Sequence, residues 1–177
     1  MTKKELLDFI KNNPDRVYYF NEDISAKTGK EYLNFVFNKY KEDQQKEIVT
    51  IVSTFGGSVE EVTSIYDIIL ALNINTATVG TGIVASAGNV LLASGKYRFA
   101  TKHTKFLIHQ MFKKTAEGLT VDNMQAELKG FEITREFAYD IHRKTFSKIP
   151  KKILEGPAPT YFDVNDALKY GMIHDIL

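Results

Sequence analysis

Two short β-branched runs, Ile48 to Val52 and Thr76 to Val79, enclose one amphipathic helical stretch, and this spacing constrains the fold more than any other feature. Between them Gly56-Gly57 breaks the first strand. Ser58 and Glu61 stand at capping-box spacing, and Val62, Ile65, Ile69 and Leu72 recur on one helical face. A strand, a helix and a second strand at this separation form a right-handed βαβ crossover, which demands parallel pairing. The expected class is therefore α/β with a largely parallel sheet.

The rest of the chain extends that pattern. Leu6, Leu7 and Ile10 predict a first helix closed by Pro14, and Arg16 to Phe20 a strand. Thr28 and Glu31 fit a second capping box, ahead of a helix burying Leu33, Val36, Phe37 and Tyr40. A short helix starts near Ser86, and strands follow at Arg98 to Ala100 and Phe106 to Ile108. Asp122 to Phe146 reads as one long helix with Met124, Leu128, Phe131, Ala138 and Ile141 on one side. After a loop at Gly156-Pro157-Ala158-Pro159, Asp163 caps a last helix, Val164 to Tyr170, ended by Gly171. With 177 residues, no repeat and no linker, a single domain over 1–177 is expected, residues 1–15 being an N-terminal helical segment.

Composition removes several function classes. The net charge of +1 gives no electrostatic case for nucleic acid or an anionic membrane. The absence of cysteine excludes a disulfide scaffold, a thiolate zinc site and a cysteine nucleophile. It is compatible with a reducing compartment, and a cytoplasmic location is expected. No apolar run approaches the roughly 20 residues of a membrane span. No metal or other cofactor is expected.

Three segments can carry chemistry. Thr54-Phe55-Gly56-Gly57-Ser58-Val59 is a glycine turn opening a helix. Its backbone can approach a ligand closely and offer amides to developing negative charge. No lysine follows the glycines, so it is not a Walker loop. In Gly80-Thr81-Gly82-Ile83-Val84-Ala85-Ser86-Ala87-Gly88-Asn89, small neighbours leave the Ser86 hydroxyl reachable, and the Ala87 amide points where an oxyanion would form. The bland alternative is that Ser86 is a helix cap. Phe106-Leu107-Ile108-His109-Gln110 ends an apolar strand in a histidine, whose bland alternative is a hydrogen-bonded residue at a sheet end. His103, His142 and His174 read as surface residues. The three segments each follow a strand, and sites in parallel sheets gather at carboxyl strand ends. A nucleophile, a base and oxyanion donors are the minimum set for acyl transfer.

At these residues the chain resembles the Clp protease proteolytic subunit family, over about Arg16 to Leu177. The resemblance rests on Gly56-Gly57-Ser58-Val59 with Ser64-Ile65-Tyr66-Asp67, and on Ala85-Ser86-Ala87-Gly88 with Leu91-Leu92-Ala93-Ser94-Gly95. Arg98-Phe99, Leu107-Ile108-His109-Gln110 and Asp166-Ala167-Leu168-Lys169-Tyr170-Gly171-Met172-Ile173 complete it. It implies a repeated β-β-α core of the kind shared with crotonases, and a long handle-like helix within a region of about 111–150. It also implies nucleophile Ser86, base His109, and oxyanion amides from Gly57 and Ala87. Stacked homo-oligomeric rings acting on unfolded polypeptide, fed by an AAA+ unfoldase, belong to the same implication.

The chain departs from the family at three places. The family's third catalytic residue, an aspartate before the final helix, falls on Pro159 when counted back from Tyr170-Gly171. The nearest carboxylate is Asp163, a third triad member by proximity and a helix N-cap on the bland reading. Met111-Phe112-Lys113-Lys114 replaces the usual proline and glycines, and Val49 and Ile51 stand where aromatic residues often help dock the unfoldase. Three functions follow: an active serine peptidase, a non-catalytic structural ring subunit, and a crotonase-like acyl-CoA enzyme. The Ser86 and His109 pair counts against the last two, and the missing aspartate favours the second.

Overall fold

The computed structural model describes residues 1–112 and 120–177. Seven strands form one sheet: β1 (Val17–Phe20), β2 (Ile48–Thr54), β3 (Thr76–Ala85), β4 (Tyr97–Ala100), β5 (Lys105–Ile108), β6 (Thr160–Phe162) and β7 (Asp175–Ile176). The strand order is β1-β2-β3-β4-β7, with β5 pairing β3 and β6 pairing β5. Every pairing is parallel except β5 with β6. The α/β class and the parallel sheet expected from the sequence are thus present.

Strand periodicity sorts side chains onto two faces. Along β2, Ile48 and Val52 join the larger core, while Val49 and Ile51 join a smaller one with Ala77, Val79 and Phe99. The smaller core is closed by α1 (Lys3–Asn12) through its buried Leu6. The larger core takes α2 (Ala26–Glu42), α3 (Val59–Ala71), α4 (Gly88–Ala93), the end of α5 (Val121–Thr145) and α7 (Val164–Lys169). The remaining helix, α6 (Lys151–Leu154), is a single turn that the sequence reading missed, as it missed β6. Tyr32 on α2 is fully buried, its hydroxyl 2.7 Å from that of Thr50 on β2, and burial pushes its pKa up to about 12.

Register explains how the sheet makes room for a site. Pairing on β3 jumps from Gly80, opposite Val52, to Val84, opposite Thr54. Gly82 sits inside this bulge with φ of 58°. The extra residues bend β3, so it pairs β4 over Ala77 to Gly80 and β5 over Ile83 to Ala85. The carboxyl end of β3 therefore lies beside β5 rather than β4.

Several expectations need correction: Phe37 and Leu72, expected on buried helix faces, are exposed. The α2 capping box uses Ser25 and Thr28, not Thr28 and Glu31: the Ser25 hydroxyl accepts the Thr28 amide and the Thr28 hydroxyl accepts the Ser25 amide. The threonine is the third residue of the helix rather than its cap. At α3 the Ser58 hydroxyl accepts the Glu61 amide, but it donates to the Glu60 carboxylate, so only half of the box forms. On α5 the apolar stripe is buried only toward its end, at Ala138, Tyr139 and Ile141, while Met124 and Leu128 are exposed. Of the expected handle region, about 111–150, residues 113–119 lie outside those described, Lys113 and Lys114 among them. Among the described residues no helix is long and apolar enough to cross a membrane.

Candidate active site

Ser86 is not a helix cap. It lies between the end of β3 and Ala87, which caps α4, and it takes φ of 54°. A non-glycine residue in this left-handed region is strained by about 1–3 kcal/mol and needs surroundings that hold it. Here the Ser86 amide donates to Leu107 O at 3.0 Å, and the Ser86 carbonyl accepts from the Asn89 amide at 3.0 Å. Asn89 Nδ2 donates to both Ser86 O, at 3.1 Å, and Leu107 O, at 2.8 Å. The buried asparagine thus staples the serine turn to β5. A sharp strand-to-helix turn of this kind leaves a nucleophile exposed at the top of the sheet.

The glycine turn lies directly against it. Gly56 and Gly57 have φ of 110° and 140°. A Cβ on Gly56 would fall 2.7 Å from Ser86 Cβ and 3.0 Å from the Ala87 nitrogen, so no larger residue fits. The turn is anchored by Ile24, which donates to Gly56 O at 2.7 Å and accepts from the Ser58 amide at 2.9 Å. Both bonds pass by the Gly57 amide. Among the described residues no hydrogen bond takes up the amides of Gly57 or Ala87, which leaves both available as donors to an anionic oxygen.

His109 follows β5. Its Nδ1 lies 2.6 Å from Gln110 O, so the tautomer protonated at Nδ1 donates there and keeps Nε2 as acceptor. Its ring stacks on Phe112 at 5.8 Å. Ser86 and His109 share no hydrogen bond, but both line the same two hollows. One is an open cleft of about 410 Å³ that also takes in Phe55, Gly57, Ser58 and Phe131. The other is a smaller cavity of about 30 Å³ bordered by Ala87, Val90, Ile108, Leu154 and His142. Serine–histidine bonds in unliganded sites are often open and close only around substrate.

Asp163 is placed elsewhere. Its Oδ1 accepts the amides of Asn165 at 2.8 Å and Asp166 at 3.0 Å, and its Oδ2 accepts Asn165 Nδ2 at 3.3 Å. The Asp166 amide foremost holds its carboxyl below the usual range. Thr160 pairs Ile108 and Phe162 pairs Phe106. Pro159 thus precedes the end of β6 that lies beside the approach to His109, whereas Asp163 follows its other end, at roughly 13 Å of extended chain from Pro159. Asp163 borders neither hollow. Ser86, His109, Gly57 and Ala87 come together; Asp163 does not join them.

Two residues have places in the structure that their sequence positions did not suggest. His142, expected on the surface, is buried, its ring stacked on Phe146 at 5.4 Å, and burial alone pushes its pKa down to about 4. Its position one turn after Ala138 and next to Ile141 was the available signal. Asn89, a lone amide in an apolar helix, was the other.

A family model described as Clp protease matches residues 8–177. The ATP-dependent Clp protease proteolytic subunit 2 of Tropheryma whipplei (strain Twist) is 27% identical, over 99% of this chain and 97% of that protein. Subunit 1 of Chlamydia pneumoniae is 28% identical, over 99% and 90%. Among solved structures, a ClpP1 mutant from Listeria monocytogenes superposes with a TM-score of 0.81 at 22% identity, covering 96% of this chain and 95% of that one.

Proposed function

This chain belongs to the Clp protease family, and on that premise we propose that it is a serine endopeptidase that cleaves unfolded polypeptides through an acyl-enzyme. The observation that carries the proposal is the strained Ser86 turn, held under Gly56 and bordering the same hollows as His109. His109 Nε2 takes the proton from Ser86 Oγ as that oxygen attacks the peptide carbonyl. The Gly57 and Ala87 amides donate to the resulting oxyanion. His109 then passes the proton to the leaving amine, the C–N bond breaks, and an ester remains on Ser86. Water, deprotonated by His109, hydrolyses that ester and restores the serine.

The Gln110 carbonyl supplies part of what a carboxylate would. It fixes the imidazole tautomer, but being neutral it stabilises the imidazolium less than a carboxylate would. We therefore read the site as a Ser86–His109 dyad, slower than a full triad, with Asp163 as a helix cap. Pro159, a residue without a carboxylate just before the Thr160–Ile108 pair, favours a second reading, a catalytically weak or inactive ring subunit with a structural role. Membership of the family also leads us to propose a homo-oligomeric ring or double ring, an AAA+ unfoldase as partner, and a cytoplasmic location. Hydrolysis of a fluorogenic peptide by the wild type and its loss in Ser86→Ala separate the two readings. Equal hydrolysis by both would remove Ser86 from the reaction.

A further inference from the structure

The open cleft of about 410 Å³ shared by Ser86 and His109 combines apolar walls with a carboxylate. Phe55, Phe112 and Phe131 border it with Val59 and Met111, and Glu60 is the one acid among the described residues that line it. Phe55 is 73% exposed and Phe112 78%, although aromatic side chains ordinarily bury most of their area. Glu60 is the second residue of α3, and its Oε2 accepts from the Ser58 hydroxyl at 3.1 Å. Its Oε1 lies 3.4 Å from the Thr134 hydroxyl on α5. These hydroxyls orient the carboxylate without neutralising it. Among the described residues no lysine, arginine or histidine pairs with it. Helix electrostatics do not account for its place, since Glu61 is also a first-turn acid of α3 and does not border the cleft.

We propose that Glu60 is a specificity residue, which receives a basic side chain of the substrate, arginine or lysine, close to the scissile bond. The inference rests on the peptidase reading above. Ser86 and His109 border the same cleft, so a polypeptide whose carbonyl is held against Ser86 Oγ lays neighbouring residues along it. Arginine and lysine carry an apolar stem that packs on aromatic walls and a cation at the far end. Phenylalanine rings attract a cation, and shielding from water between them strengthens its pairing with Glu60. A carboxylate has about four acceptor sites, so the two hydroxyls leave room for further donors. Arginine suits the site better than lysine, because its planar fork meets both carboxylate oxygens. An aliphatic or aromatic side chain packs on the same walls but takes water from Glu60 without pairing it. An acidic side chain meets a like charge. The walls favour bulk, and the carboxylate adds a demand for positive charge.

The test uses internally quenched peptides that carry arginine, or its neutral near-isostere citrulline, at one position at a time on either side of the cleaved bond. Cleavage by the assembled protein is read as kcat/KM, and mass spectrometry identifies the bond cut. At one position or more, arginine should be favoured over citrulline by about fivefold or more. Glu60→Gln keeps the shape and removes the charge, and should bring that ratio to about one. Glu60→Lys should invert it. Glu60 is exposed, so neither variant disturbs the core. A wild-type ratio near one at every position would overturn this inference and leave the peptidase reading standing. A preference for arginine that survives unchanged in Glu60→Gln would overturn the assignment to Glu60. No cleavage of any peptide would overturn the peptidase reading, and this one with it.

Discussion

Ile108 and Thr160 form the last pair of the β5–β6 ladder, and His109 and Pro159 are the next residues beyond that same end. One further antiparallel step from that pair brings Cβ atoms to about 5 Å. A carboxylate there would be within reach of the imidazole. Pro159→Asp should therefore raise kcat/KM for a fluorogenic peptide. A triad carboxylate contributes up to about 10⁴-fold, or roughly 5.5 kcal/mol of transition-state stabilisation. A gain of about 10² or more is expected, and no gain would mean that His109 is not limited by a missing acid.

Asp163 has the opposite expectation. Its carboxylate accepts the amides that open α7, and asparagine caps a helix about as well as aspartate. Asp163→Asn should keep both the rate, within about twofold, and the melting temperature. A loss of orders of magnitude in kcat, with the fold intact, would show that this carboxylate reaches the imidazole during turnover.

Much of this site was legible in the sequence because the cues were local. Glycine pairs, small residues around a serine and a histidine ending an apolar run each follow from a few neighbouring positions, and the parallel sheet places them together. The strain at Ser86 was not legible, because it is imposed by Leu107 and Asn89 through tertiary hydrogen bonds. Nor was β6, three residues whose pairing with β5 is set by register rather than propensity. That pairing is what separates Asp163 from His109. His142 was misjudged because charged neighbours, Arg143 and Lys144, make its stretch of α5 look solvated, while the helix turns its own ring inward.

The first half of α5 leads to an assembly prediction. Val121, Met124 and Leu128 are exposed there, with Ile133 and Phe137 further along. A helix apolar on sides that its own domain does not cover needs another surface. A second copy of the chain is the expected partner, and sedimentation at micromolar concentration should give a ring-sized particle. A monomer would contradict the proposed assembly.

Burial of neutral His142 sets an acid limit on stability. Its pKa is about 4 in the fold against an ordinary 6.5. Below 6.5 the unfolded chain takes up a proton that the folded one refuses, so the contribution is complete above pH 6.5 and is lost as pH falls toward 4. At 1.36 kcal/mol per pKa unit the loss is about 3 kcal/mol. Denaturation curves of the wild type should therefore fall between pH 6.5 and 4 by about that much more than those of His142→Phe. Parallel curves would mean that His142 is not held neutral.

The central claim is that Ser86 is a nucleophile activated by His109. Its most direct measurement is the mass of the protein after exposure to a serine-directed phosphonate, with the modified residue located by peptide mapping. One adduct per chain on Ser86 is expected, absent in Ser86→Ala and strongly slowed in His109→Ala. No adduct, or one mapped to another residue and retained in Ser86→Ala, would contradict the account.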